Sequence, residues 1–198
     1  MSKESTVNCG RRRLIVATAA VGGVGAALAV VPFVSSMLPS QRAKAAGAPV
    51  EVDVSNLGPG QMITVEWRGR PVWILNRNQD MLETLPKLDG ELADPNSEGK
   101  QQPEYCKNPT RSIKPAILVA IGICTHLGCS PSSKFKKGPE DGMPAGWLGG
   151  FLCPCHGSTF DLAGRVFRNK PAPTNLEIPP HIYLSDTRIL IGEDKKGA

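Results

Sequence analysis

The chain has 198 residues, 23 Lys plus Arg, 18 Asp plus Glu and a formal charge of +5, room for one ordinary domain with an appendage. Residues 1–44 carry Lys3, Arg11, Arg12, Arg13, Arg42 and Lys44 against Glu4 alone, while residues 45–198 hold 17 basic and 17 acidic side chains, so the pI near 9.0 does not describe a nucleic-acid-binding domain. With 40% apolar residues the chain is not disordered, and 21 Gly and 18 Pro favour a loop-rich β body over a helical bundle.

In chain order, residues 1–13 end in three arginines, and Arg11-Arg12-Arg13-Leu14 looks like a twin-arginine export signal. That route carries folded proteins with their cofactors already inserted. Leu14 to Val34 is 21 residues without a charge. As a helix it spans roughly 30 Å, about one hydrocarbon core, so 14–34 is read as a single transmembrane anchor. The positive-inside rule places the amino terminus in the cytoplasm and the remainder across the membrane. A cleaved secretory signal is the alternative, with Ala43-Lys44-Ala45-Ala46 as the cleavage site. Gly22, Gly23 and Gly25 in the span fit close packing against partner helices and ordinary tolerance of glycine in lipid equally well. Residues 35–49 have no hydrophobic period and read as a flexible tether or hinge, or a plain spacer.

From residue 50 onward the pattern is that of short strands. Val50 to Asp53, Met62 to Trp67 and Arg70 to Leu75 alternate or are β-branched, with turn signals at 56–60 and 68–71, as in an antiparallel meander. Gln79 to Leu85 reads as a short helix ended before Pro86, and Asp89 to Pro109 as a long polar surface excursion. Ile117 to Ile123 and Trp147 to Leu152 are apolar strand candidates that lead into Cys124 and Cys153, and Arg188 to Ile191 reads as the last strand.

Chemistry concentrates in two boxes, Cys124-Thr125-His126-Leu127-Gly128-Cys129 and Cys153-Pro154-Cys155-His156-Gly157-Ser158. They hold four of the six cysteines and two of the three histidines. Thiolates and imidazoles in paired loops are metal ligands. A structural zinc module fits poorly, because neither box has the usual paired spacing. A Cys–His nucleophile leaves the duplication unexplained, and no C-x-x-C redox pair is present. Of the other candidates, Cys9 falls on the cytoplasmic side. Cys106 is a free thiol or has a partner not evident from sequence, and His181 reads as structural or surface.

The two boxes resemble those of the Rieske iron–sulfur proteins, in which two histidines replace two cysteines on one iron of a [2Fe–2S] cluster. The resemblance implies that Cys124 and Cys153 hold the inner iron, that His126 and His156 hold the outer iron, and that Cys129 and Cys155 form a disulfide between the loops. Rieske oxygenases usually lack the extra cysteine pair, whereas the Rieske subunits of quinol-oxidising cytochrome bc complexes have it. Pro171-Ala172-Pro173, the run Asn175 to Pro179, the anchor and the tether are also similar to those of bacterial bc1 subunits, and the insert Pro131 to Gly146 looks proteobacterial. The implied fold is mainly β, a single N-terminal transmembrane helix and an antiparallel β-sandwich Rieske domain over 50–198, with cluster loops at about 122–161.

The family further implies one cluster and a subunit of a dimeric bc1 complex in the bacterial inner membrane, its head in the periplasm. Its partners would be ubiquinol, cytochrome b, cytochrome c1 and membrane lipid, with no nucleic acid. His156, with His126, would take up a proton and an electron from quinol, since reduction adds negative charge and favours protonated imidazole. The head would then swing to cytochrome c1, with Gln41 to Ala48 as hinge. Leu127 would face the quinone pocket or shield the cluster, and Ser158 would donate to a bridging sulfide. Two departures stand out: Phe160, where many relatives have a tyrosine that donates to a ligand sulfur, and Lys170, where glycine often precedes Pro-Ala-Pro. The alternative reading is the small Rieske subunit of a periplasmic oxidoreductase such as arsenite oxidase.

Overall fold

The structure is a computed structural model that describes residues 8–41, 47–139 and 142–194. The first seven residues, Arg42 and Lys44, the Ala43–Ala46 cleavage candidate and most of the 41–48 hinge lie outside the described residues. The chain divides into two compact units, 1–45 and 46–198.

The described part of the first unit is dominated by α1 (Cys9–Ser36), which contains the whole Leu14 to Val34 run. Asn8 caps it by accepting hydrogen bonds from Gly10 N and Arg11 N at 3.1 and 3.2 Å, which satisfies two of the free N–H groups of the first turn. At 28 residues the helix is roughly 42 Å long, more than one hydrocarbon core. No residue of α1 is buried, and Leu14, Val21, Leu28 and Phe33 all stand exposed. An apolar helix exposed on every side fits a membrane-anchored protein.

The second unit is built on three antiparallel sheets. The first has strand order β1 (Val50–Asp53), β9 (Arg188–Ile191), β8 (His181–Tyr183); the second β2 (Met62–Trp67), β3 (Arg70–Asn76), β4 (Ile117–Ile121); the third β5 (Ser132–Lys134), β6 (Gly150–Leu152), β7 (Thr159–Phe160). In β3 and β4 the period-2 alternation of side chains serves two cores at once. Val72, Ile74, Val119 and Ile121 pack with Val52, Ile189 and Ile191 of the first sheet. Trp73, Leu75, Leu118 and Ala120 face the other way and pack with Cys124, Phe151, Cys153 and Phe160. The middle sheet is thus covered on both faces, which explains why Ile117 to Ile121 reads as an unbroken apolar run.

Several expectations need correction. The helix expected over Gln79 to Leu85 ends at Leu82, forming α2 (Gln79–Leu82). Pro86 starts a 3-10 turn over Leu85–Glu91 instead of stopping a helix, because its missing N–H costs nothing in a first turn. The 89–109 excursion is not confined to the surface: Leu92, Ser97 and Cys106 are fully buried. Trp147 and Leu148 lie outside β6, although Trp147 is anchored by Nε1–H donating to Lys134 O at 2.8 Å.

Candidate metal centre

Both boxes follow strands anchored in the second core, β4 through Leu118 and Ala120 before Cys124 and β6 through Phe151 before Cys153. The two loops then repeat one backbone pattern. Cys124 N–H donates to Cys129 O at 2.7 Å and Gly128 N–H to Cys124 O at 3.1 Å; Cys153 N–H donates to Ser158 O at 2.8 Å and Gly157 N–H to Cys153 O at 3.0 Å. Each turn closes through a glycine at positive φ, +84° at Gly128 and +73° at Gly157, where a side chain would be strained. The spacing of the cysteines and histidines does not reveal this equivalence, since the histidine is two residues after the cysteine in one box and three in the other.

The structure joins Cys129 to Cys155 as a disulfide, linking the loops across 26 positions. Cys124 and Cys153 are free, buried and in side-chain contact with each other. The Sγ atoms of Cys129, Cys153 and Cys155 lie within 4.8 Å of one another, but the disulfide removes two of them as ligands. His126 and His156 stand edge to face with ring centroids 4.7 Å apart. His156 is exposed and His126 half-buried, its Nδ1 fully enclosed without a hydrogen-bond partner. Next to His126 in the chain, Leu127 is 72% exposed, an apolar side chain left in solvent.

Residues outside the boxes brace the site. Ser158 Oγ accepts Ala172 N–H at 3.0 Å and stands within hydrogen-bonding reach of the Cys124 sulfur. Thr125 Oγ1 donates to Thr174 O at 2.7 Å. The 171–174 segment is therefore pinned to both boxes. No motif in the sequence indicates Thr125 or Thr174, because the bond spans 49 positions. Cys106 is a buried free thiol remote from the paired loops in sequence, and His181 is buried, its Nδ1 2.9 Å from Pro179 O.

Comparison with known proteins adds a direct match. Residues 48–180 fit the family model of the Rieske [2Fe-2S] domain, and residues 1–40 fit that of the ubiquinol–cytochrome c reductase Fe-S subunit TAT signal. The ubiquinol–cytochrome c reductase iron–sulfur subunit of Allochromatium vinosum is 61% identical over 198 residues, covering 100% of this chain and 95% of that one. The chain belongs to the Rieske iron–sulfur subunits of ubiquinol–cytochrome c reductase. The Bradyrhizobium diazoefficiens subunit of the same name is 43% identical over 180 residues, 90% of this chain and 92% of that one. A mitochondrial Rieske subunit of the cytochrome b-c1 complex from Nicotiana tabacum is 42% identical over 166 residues, 83% and 56% of the two chains.

The cofactor of this Rieske chain is one [2Fe–2S] cluster. The donor set fits it. The enclosed, unpartnered imidazole nitrogen of His126 is a costly polar group unless something occupies it, and the two adjoining buried thiols are the soft sulfur donors that an iron–sulfur cluster takes. Burial, the largest cause, pushes the Cys124 thiol up, so the sulfur stays protonated until a cation displaces the proton.

Proposed function

We propose that this chain is the subunit of a cytochrome bc1 complex that takes one electron and a proton from ubiquinol and delivers the electron to cytochrome c1. Family membership carries the reading, and the site supports it. Cys124 and Cys153 hold the buried side of the cluster, and His126 and His156 the outer side. When bound, the cluster supplies a one-electron acceptor made easier to reduce by neutral imidazoles in place of two thiolates. The chain's own residues do the rest. His156, exposed at the end of its loop, accepts the hydrogen bond of a quinol hydroxyl and then holds its proton. His126, at 4.7 Å, shares this face. Leu127 offers an apolar contact to the quinone pocket of cytochrome b, and Ser158 donates toward sulfur.

Residues 1–34 act as leader and uncleaved anchor, with the amino terminus in the cytoplasm and the head in the periplasm. Of residues 35–49, Ser35 and Ser36 complete α1, and the part beyond them is the tether on which the head moves. An accessory subunit of a soluble periplasmic oxidoreductase would have no use for a helix apolar on every face. The test is His156→Ala in the assembled membrane complex. Quinol-dependent cytochrome c reduction is expected to be lost together with the Rieske electron paramagnetic resonance signal. Retention of both would contradict the ligand assignment.

A further inference from the structure

Three arginines are buried in the head. Arg77 is 2% exposed, Arg111 and Arg165 0%. Arg165 has carboxylate partners: its Nε donates to Asp161 at 2.8 Å and its Nη1 to Asp89 at 2.9 Å. Arg77 and Arg111 differ. Among the described residues neither forms an ion pair. Arg77 donates to the carbonyls of Thr110, Leu162 and Pro115 and to Ser112 Oγ, at 2.6–3.1 Å. Arg111 donates to the carbonyls of Ala163, Gly164 and Leu176 and to Gln102 Oε1, at 2.7–3.2 Å. The Nε of each has no partner. Three cations thus stand against one fully buried carboxylate, Asp161, and two partly exposed ones, Asp89 and Asp94, of which Asp94 attracts Arg111 without forming an ion pair with it.

Four of the six carbonyls they grip belong to 162–164, shortly after the second cluster loop, and to Leu176, just beyond the 171–174 segment that braces both loops; the other two, of Thr110 and Pro115, are held by Arg77. Leu162, Ala163 and Leu176 belong to the same buried core as Cys124 and Cys153. Burial lowers Arg77 and Arg111 to about 10, which still leaves both cationic at neutral pH. A buried, unpaired charge is expensive, and hydrogen bonds to neutral carbonyls offset that cost only in part. The same burial makes its field reach farther than a surface charge would and protects it from salt.

We infer that Arg77 and Arg111 are electrostatic positioning residues: their unpaired positive charges stabilise the extra negative charge of the reduced cluster and hold its reduction potential up. The inference rests on the cluster reading above. It also gives Phe160 a counterweight, since positive charge behind the loops offsets a missing hydrogen bond at sulfur.

The experiment is a redox titration of the Rieske signal in membranes containing the assembled complex, at low ionic strength. Wild type is compared with Arg111→Gln, Arg111→Lys, Asp89→Asn and Gln102→Glu. Expected are a downward shift of midpoint for Arg111→Gln, a value close to wild type for Arg111→Lys, and an upward shift for Asp89→Asn, which removes a negative charge at the surface end. A purely structural role would lower cluster content in both Arg111 variants and leave the loaded fraction titrating as wild type. Should the Arg111 variants fail to load, Gln102→Glu decides, because it sets a carboxylate against the intact Arg111 guanidinium: a lowered midpoint supports the inference, and an unshifted or raised one overturns it. Absence of a Rieske signal in wild type would instead overturn the cluster reading.

Discussion

Phe160 is fully buried in the core that holds Cys124 and Cys153, and its ring has no group to donate to a sulfur. A hydrogen bond to cluster sulfur favours the more negative, reduced form. Phe160→Tyr is therefore expected to raise the midpoint potential in a redox titration of the intact complex; an unchanged midpoint would contradict this role. His181 makes a different prediction. Burial lowers its pKa below the ordinary 6.5, with the Pro179 carbonyl opposing. The unfolded chain then binds a proton that the folded chain resists, so this contribution to stability is full above pH 6.5 and falls as pH drops below it. Thermal unfolding of the chain at pH 8 and pH 5.5 checks the sign, and His181→Gln should flatten that dependence. Residues were legible in proportion to how local their partners are. The proposed ligands announce themselves because each box lies within six residues. Arg77, whose bond to the Leu162 carbonyl crosses 85 positions, looks like any surface arginine in the sequence.

Among the elements, the strands with a period were readable and the others were not. β1, β2 and β9 keep the bounds that alternation gives, and β3 runs one residue longer. β5, β7 and β8 have three, two and three residues, too few for any alternation to register. Pairing with neighbours defines them, as where Phe151 faces Phe160 across β6 and β7. Close packing between elements was equally hidden. Gly122, between β4 and the first box, lies against the Trp73 indole, which stacks on Phe151 at 4.7 Å. A methyl group there would run into the ring, and overpacking of this kind costs about 1–3 kcal/mol. Gly122→Ala should lower the melting temperature and the cluster content together. A variant with wild-type melting and full cluster would show that the Trp73 contact yields without cost.

For the molecule as a whole, the charge pattern and the two-unit division describe one design. The surplus of positive charge lies in residues 1–44, while the head from 45 onward is balanced, so its chemistry depends on the two loops. If the head moves on residues 35–49, stiffening them should slow the catalytic cycle without touching the cluster. Replacing several of residues 42–46 by proline is expected to reduce steady-state cytochrome c reduction while the Rieske spectrum stays as in wild type. Unchanged turnover would remove the hinge from the account. The central claim is that His126, Leu127 and His156 meet the quinone pocket of the complex. It is tested most directly by recording the reduced Rieske electron paramagnetic resonance spectrum of the intact membrane complex with and without an inhibitor of the quinol-oxidation site. The account predicts that the inhibitor shifts the signal; a spectrum indifferent to a saturating inhibitor would contradict it.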